Sequence, residues 1–129
     1  MDPEISKILK GKNFASFATL MNDGSPQVTP VWVDYRDDLI LVNTAVGRLK
    51  EKNIDRDNRV ALCVFETENP YNMVSIKGRV VDKRTEGADK HIDELAKRYL
   101  NVDKYPYRRP DEKRVILKIM PEKIFHLKI

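Results

Sequence analysis

The sequence is poor in the residues on which several classes of protein depend. It has one cysteine among 129 residues, so no disulfide forms within the chain, and this fits a reducing compartment such as the cytoplasm. It has five glycines, with neither a glycine-rich dinucleotide fingerprint nor a phosphate-loop motif among them. No apolar run approaches the roughly 20 residues that span a bilayer, and no signal-peptide pattern is present. We therefore expect a single cytoplasmic domain over residues 1–129, with no membrane association.

Residues that carry acid–base or metal chemistry are also scarce. The two histidines, His91 and His126, are far apart and show no metal-ligand spacing with Cys63. Neither histidine belongs to a recognisable serine or cysteine nucleophile arrangement, and Cys63 lies in an apolar run typical of a core strand. We expect no metal site and no catalytic side chain. The protein then either binds a ligand or relies on a bound cofactor for its chemistry.

The charge balance is mildly basic. The chain has 24 basic and 20 acidic residues, a formal net charge of +4. This favours an anionic ligand and does not require nucleic acid.

Alternating apolar residues predict a chain made mainly of strands. One short helix follows Asp2 and Pro3, a second is predicted over residues 48–53, and a long third one over 85–100, capped by Thr85. The predicted strands lie at 14–21, 26–35, 39–42, 59–65, 73–82, 114–120 and 123–128, the last two being interrupted at Pro121. Six or seven strands with short connections predict a mainly β (α+β) fold, a closed or nearly closed antiparallel barrel with a few peripheral helices.

The predicted strand 26–35 contains a proline, which has no N–H to donate within a central strand. We therefore predict that this strand lies at a sheet edge or is bulged near Pro30, where unpaired backbone groups could face a ligand. The alternative is a plain edge strand. Its two faces are predicted to carry Val28, Pro30 and Trp32 on one side and Thr29, Val31 and Val33 on the other.

Residues 39–59 combine an apolar strand, a break at Gly47 and a short helix that begins with basic residues. Arg48, Lys50 and Lys52 crowd the first turn, although cations there cost about 0.3–1 kcal/mol each. Basic side chains around free N–H groups favour an anion, above all a phosphate. The alternative is a solvated helix with Lys50, Glu51 and Lys52 pointing outward.

Taken in order, these motifs resemble the pyridoxamine 5'-phosphate oxidase-like family of split β-barrels, and within it the branch of deazaflavin (F-420)-dependent oxidoreductases. The similarity covers nearly the whole chain. It rests on FATL at 17–20, DGSPQ at 23–27, TPVW at 29–32, NT at 43–44, GRLK at 47–50 with Asn53, and RVAL at 59–62.

The resemblance implies a homodimer with two equivalent sites at its interface, each of which binds FMN or coenzyme F-420. Arg48 and Lys50 would hold the cofactor phosphate, with help from Asn43 and Thr44. The flavin or deazaflavin ring would lie along residues 28–32: Val28, Thr29, Pro30, Val31 and Trp32. Asn53 would add a polar contact or cap the helix locally. Tyr105, Tyr107 and Arg108 are candidates to cover the ring from the second subunit, and the alternative is that they belong to a plain surface loop.

The resemblance implies a flavin-type oxidoreductase that transfers hydride to or from a small organic substrate. The alternatives are a flavin or tetrapyrrole carrier on the same barrel without turnover, and a small barrel that binds single-stranded nucleic acid through its basic charge and aromatic residues.

Overall fold

The computed structural model describes all residues, 1–129, and is mainly β, with seven strands and three helices. None of the helices is long and apolar enough to cross a membrane. In chain order the elements are α1 (Pro3–Lys10), β1 (Phe14–Leu20), β2 (Pro26–Trp32), β3 (Asp34–Arg36), β4 (Leu39–Ala45), α2 (Leu49–Arg56), β5 (Arg59–Phe65), β6 (Met73–Arg84), α3 (Ala88–Leu100) and β7 (Arg114–Leu127).

The strands form one sheet that curls back on itself. Their order is β2-β1-β5-β6-β7-β4-β3, and every neighbouring pair is antiparallel. The two edge strands, β2 and β3, are separated along the chain only by Val33, so the two ends of the sheet must lie close together. The predicted fold class, a split antiparallel barrel with peripheral helices, is therefore confirmed.

The inward-facing residues of the strands fill the barrel. They form a core cluster of 19 buried residues, in which Phe17 and Ile76 are fully buried. Helix α1 adds Ile5, Ile8 and Leu9 to this core. A fully buried phenylalanine contributes about 3–5 kcal/mol relative to alanine. The core therefore fixes the faces of the strands, and with them which side chains point outward.

Several predicted strand boundaries were wrong. The strand predicted over 39–42 continues to Ala45, because residues 43–45 also pair with β7, and the strand predicted over 73–82 continues to Arg84. The predicted strand 26–35 is two strands, because the chain breaks at Val33, whose N–H donates to the Tyr99 hydroxyl of α3 at 3.2 Å. The last two predicted strands are one, because Pro121 lies opposite Gly78 where the β6–β7 register shifts. That bulge accommodates a proline within a paired strand. The predicted edge position of Pro30 is confirmed, since β2 pairs only with β1.

The helix starts also differ from prediction. Helix α2 begins at Leu49 and continues to Arg56, beyond the predicted end. Helix α3 begins at Ala88, and its cap is Gly87 in the left-handed region (φ 77°), with no side-chain cap, so Thr85 does not cap it. A glycine adopts this backbone turn without the steric cost of a Cβ, and this allows the chain to turn into the helix.

Candidate anion and aromatic pocket

A pocket of about 220 Å³ lies at the seam of the barrel, between the free edge of β2, strand β4 and helix α3. Because β2 is an edge strand, no neighbouring strand covers this side of it. The pocket is lined by Phe14, Pro30, Val31, Trp32, Asn43, Thr44, Arg48, Lys50, Ile92, Leu95, Tyr105, Tyr107 and Arg114. One end of this lining is cationic and the other is aromatic, and we call it the seam pocket.

The cationic end has three positive side chains and one carboxylate. Arg48 is the N-cap of α2, Lys50 lies in the first turn of that helix, and Arg114 begins β7. Glu112 lies between the two arginines, with its Oε1 2.8 Å from Nη2 of Arg48 and 2.9 Å from Nη1 of Arg114. The local charge is therefore positive, and it sits beside the N-terminus of a helix, whose dipole has the same sign.

Lys50 and the Thr44 hydroxyl at this end have no partner within the chain, and the second oxygen of Glu112, Oε2, is also buried without a hydrogen bond. Lys50 makes no ion pair, and burial, followed by the charges of Arg48 and Arg114, lowers its pKa. The Thr44 hydroxyl oxygen is buried and makes no hydrogen bond. Buried polar groups are usually paired because an unpaired one costs roughly 1–3 kcal/mol. An unpaired ammonium and an unpaired hydroxyl in the lining of one pocket fit an oxygen-rich anion such as a phosphate.

The aromatic end is a wall built around Trp32. The Trp32 and Tyr99 rings stack with centroids 5.0 Å apart and planes 8° apart, and Tyr105 meets Trp32 edge-on at 5.9 Å. The Arg114 guanidinium lies 5.2 Å from the centre of the Tyr105 ring, which links the aromatic end to the cationic one. Phe14 also packs against Tyr99, at 5.7 Å. This arrangement offers flat apolar surface to a planar ring.

A buried polar network lies behind the seam pocket. The Asn43 side-chain nitrogen donates to the Ala88 carbonyl at 2.9 Å and lies 3.1 Å from Nδ1 of His91. The Asn43 side-chain oxygen accepts from Nε of Arg114 at 2.9 Å. On its other side, Nε2 of His91 lies 3.1 Å from the Asp34 carboxylate. The network therefore runs from a pocket residue into the protein interior.

Asp34 anchors the far end of this network. Burial by itself would raise its pKa, but hydrogen bonding to His91 and the charge and hydrogen bond of Arg98 hold the pKa of Asp34 well below its usual range. Its carboxylate lies 3.0 Å from Arg98 and 2.9 Å from Arg36, and it also accepts from the Tyr35 N–H. Asp34 is therefore a charged, fully satisfied buried carboxylate.

Most of the residues predicted for the site lie together in the seam pocket, and three do not. Pro30, Val31, Trp32, Asn43, Thr44, Arg48 and Lys50 are all part of its lining. Val28 is outside, 59% exposed on the outer face of the sheet, and Thr29 faces inward opposite Phe17. Asn53 is buried and donates to the Thr19 hydroxyl at 3.0 Å, which ties α2 to β1.

The loop between α3 and β7 covers the pocket of its own chain. Tyr105, Tyr107 and Arg108 were candidates to cover the ring from a second subunit, and Tyr105 and Tyr107 line the seam pocket of their own chain. The loop is held there by α3, because Arg108 pairs with Asp89 and Asp93 at 2.9 Å each. The Tyr105 N–H also donates to Asp93, at 2.9 Å. Arg108 itself is not part of the lining.

Sequence reasoning missed three residues of the site: Arg114, Glu112 and His91. Arg114 had a weak signal, since it is a charged residue directly before an apolar strand, yet its side chain is only 3% exposed. Glu112 and His91 had no local sequence signal. The pairing of β7 with β4 brings Glu112 to the site, and the packing of α3 brings His91 there.

The chain belongs to the pyridoxamine 5'-phosphate oxidase family, whose family model matches residues 1–128. No curated protein matches the sequence. An F-420 reductase of known structure is similar to this chain, with 24% identity and a TM-score of 0.83, over 97% of this chain and 98% of the reductase.

Two further solved structures have the same fold. HupZ from Group A Streptococcus is 19% identical, with a TM-score of 0.70, and the match covers 98% of this chain and 94% of that one. General Stress Protein 26 from Bacillus anthracis is 19% identical, with a TM-score of 0.71, over 96% of this chain and 91% of that one. At these identities the similarity establishes the fold alone.

Proposed function

We propose that this chain binds FMN or coenzyme F-420 in the seam pocket and acts as a flavin-type oxidoreductase on a small organic substrate. One observation carries the proposal. A single pocket combines an unpaired lysine and an unpaired buried hydroxyl at one end with an aromatic wall at the other. Membership of the pyridoxamine 5'-phosphate oxidase family and the similarity to an F-420 reductase support this choice of cofactor.

Each part of the pocket has a role in this proposal. Lys50, Arg48 and the Thr44 hydroxyl hold the phosphate, and Arg114 adds a third cation. The free edge of β2 and the Trp32 ring orient the planar ring system. When bound, the cofactor supplies the hydride chemistry, and the chain contributes binding, orientation and electrostatics. Arg114, whose guanidinium lies 5.2 Å from the centre of the Tyr105 ring of the aromatic wall, would stabilise negative charge on the bound ring by Coulomb attraction.

We further propose that two copies pair through the outer face of the sheet. This face carries exposed apolar side chains, with Phe125 58% exposed and Phe14 44% exposed, in addition to Val28. Small residues also lie on this face: Ser16 of β1 is paired with Cys63 of β5. Phe14 also lines the seam pocket, so a second copy seated on this face would lie next to the pocket. An apolar patch of this kind marks an interaction surface.

The second candidate is a carrier that holds the cofactor without turnover. The histidine nearest the pocket, His91, is 3% exposed and lies behind Asn43, and Glu112 is held between two guanidinium groups. Neither group is free to transfer a proton to a substrate. A carrier would bind the cofactor but leave it unreduced in the presence of NAD(P)H.

The experiment that tests the proposed function is a titration monitored by Trp32 fluorescence. Trp32 is the only tryptophan in the sequence and lines the seam pocket, so its emission reports on that pocket. We expect quenching by FMN or F-420 with a Kd in the micromolar range or lower, about −8 kcal/mol or better. Riboflavin has the ring but lacks the phosphate, and we expect it to bind at least tenfold more weakly. Binding of neither cofactor refutes the proposed function, and equal binding of riboflavin and FMN refutes the phosphate assignment.

The proposed dimer is tested by sedimentation and by thiol labelling. We expect a dimer in the wild-type chain and a shift towards monomer in Val28→Arg, which places a charge on the outer face. Cys63 lies on the same face, so its labelling should slow as the protein concentration rises. Lys90→Glu is the control, an exposed position on α3 away from that face. A wild-type monomer at all concentrations refutes the dimer.

A further inference from the structure

The Asp34–His91–Asn43–Arg114 network has no part in the proposed cofactor contacts except through its last two members. Asp34, His91 and Arg114 are 2%, 3% and 4% exposed, and Asn43 is half-buried where the network reaches the seam pocket. Such a network is costly unless every member is satisfied. Its members come from four separate elements: β3, α3, β4 and β7.

The hydrogen-bonding partners determine the orientation of each side chain in the network. The Asn43 amide must point its nitrogen towards the Ala88 carbonyl, which only accepts, and its oxygen towards Nε of Arg114, which only donates. The Asn43 nitrogen therefore donates to Nδ1 of His91 as well. Nδ1 must be unprotonated, and Nε2 must carry the proton that is donated to the Asp34 carboxylate.

We propose that His91 is a positioning residue for the seam pocket. Held by Asp34 as the neutral Nε2–H tautomer, it accepts from Asn43 and fixes the amide whose oxygen holds Arg114 against the pocket. This inference rests on the proposed function for the identity of the ligand, but the tautomer and the hydrogen bonds are properties of the chain alone. His91 does not contact the ligand in this scheme, because Asn43 lies between it and the seam pocket.

The first test needs no ligand. The chain has two histidines, and His126→Gln leaves only His91, so ¹⁵N NMR of the ring nitrogens reads one residue. We expect the neutral Nε2–H pattern at pH 7.5, and a protonated Nδ1 would overturn the inference. In a separate comparison, the Nε–H of Arg114 should exchange slowly with solvent in wild-type protein and faster in His91→Gln.

The second test compares two substitutions at His91 that differ in which nitrogen they replace. Asparagine places its side-chain oxygen near the position of Nδ1 and retains the acceptor for Asn43. Glutamine places its amide near Nε2 and retains only the donor to Asp34. We expect His91→Asn to bind FMN or F-420 within about twofold of wild type and His91→Gln to bind about fivefold more weakly, the effect of one lost hydrogen bond.

The outcomes separate the inference from the proposed function. If the wild-type chain binds cofactor and the two variants lose affinity equally, or His91→Gln loses none, the positioning role is wrong. If the wild-type chain binds neither cofactor, the proposed function fails. The NMR tautomer and the Arg114 exchange rate then still support or overturn the placement of Arg114 by His91.

Discussion

Replacing Lys50 with methionine should weaken cofactor binding and stabilise the empty protein. At an effective dielectric constant of about 20, two unit charges roughly 4 Å apart interact by about 4 kcal/mol. Lys50 is about half buried, so solvent screening reduces this value, and the loss of one charged hydrogen bond gives about 1.5–3 kcal/mol. That is about 10- to 150-fold in Kd for whichever cofactor the wild-type chain binds.

The effect on stability should have the opposite sign. Burial and the charges of Arg48 and Arg114 lower the pKa of Lys50, so the folded state disfavours its ammonium form. The unfolded chain does not impose this cost, and Lys50→Met removes it with an unbranched side chain one atom shorter than lysine. We therefore expect a higher Tm by calorimetry without ligand, together with a weaker Kd in the Trp32 titration. A gain in stability with a loss of binding is the pattern of a site that is strained for its ligand.

The matched control is Lys52→Met, which removes the same charge from an exposed position on the same helix. It should change neither Tm nor Kd appreciably, since surface charges contribute little. If Lys50→Met weakens binding no more than Lys52→Met does, the phosphate assignment is wrong. A lower Tm for Lys50→Met would show that the empty pocket is not electrostatically strained.

Three further changes test other parts of the structure. Glu112→Gln should tighten phosphate binding several-fold in the same titration, because its carboxylate competes for two guanidinium groups; Asp111→Asn, exposed and next in sequence, should not. The pKa of Asp34 is lowered in the folded state, so its contribution to stability is complete above about pH 4 and is lost as the pH falls further. In urea denaturation between pH 2 and pH 5, the free energy of unfolding of the Asp34→Asn variant should therefore fall less with decreasing pH than that of the wild type. Gly78→Ala should lower stability by about 1–3 kcal/mol in the same assay, because the new Cβ would lie 2.3 Å from the Met120 carbonyl oxygen.

The helices and strands could be predicted from local sequence, and the errors in those predictions arise from contacts between residues far apart in the chain. Alternation predicted the strands because one face of each is buried in the barrel. The break at Val33 was missed because it depends on hydrogen bonds to Tyr99, far along the chain. The Thr85 cap failed because propensity favours threonine at an N-cap, whereas Gly87 provides the backbone turn that starts α3.

The residues of the candidate site likewise fall into two groups: those with a local sequence signal and those that the pairing of distant strands brings to the pocket. Arg48 and Lys50 were predicted because two cations at a helix start are locally unfavourable and need an anion. Asn53 was placed in the site by resemblance, and the structure shows it bonded to Thr19 inside the barrel wall. Arg114 reaches the pocket only because β7 pairs with β4. A single sequence contains no local signal for that pairing.

The position of β7 in the sheet makes the seam pocket a property of the whole barrel. β7 is the last element along the chain, yet it lies between β6 and β4, which have no other common neighbour. Until it docks, both strands keep an open edge, and Arg114 is absent from the pocket. Pairing over such sequence distances is slow and forms late. No partly folded chain therefore presents the complete site, and a bound ligand should slow global unfolding rather than protect one segment.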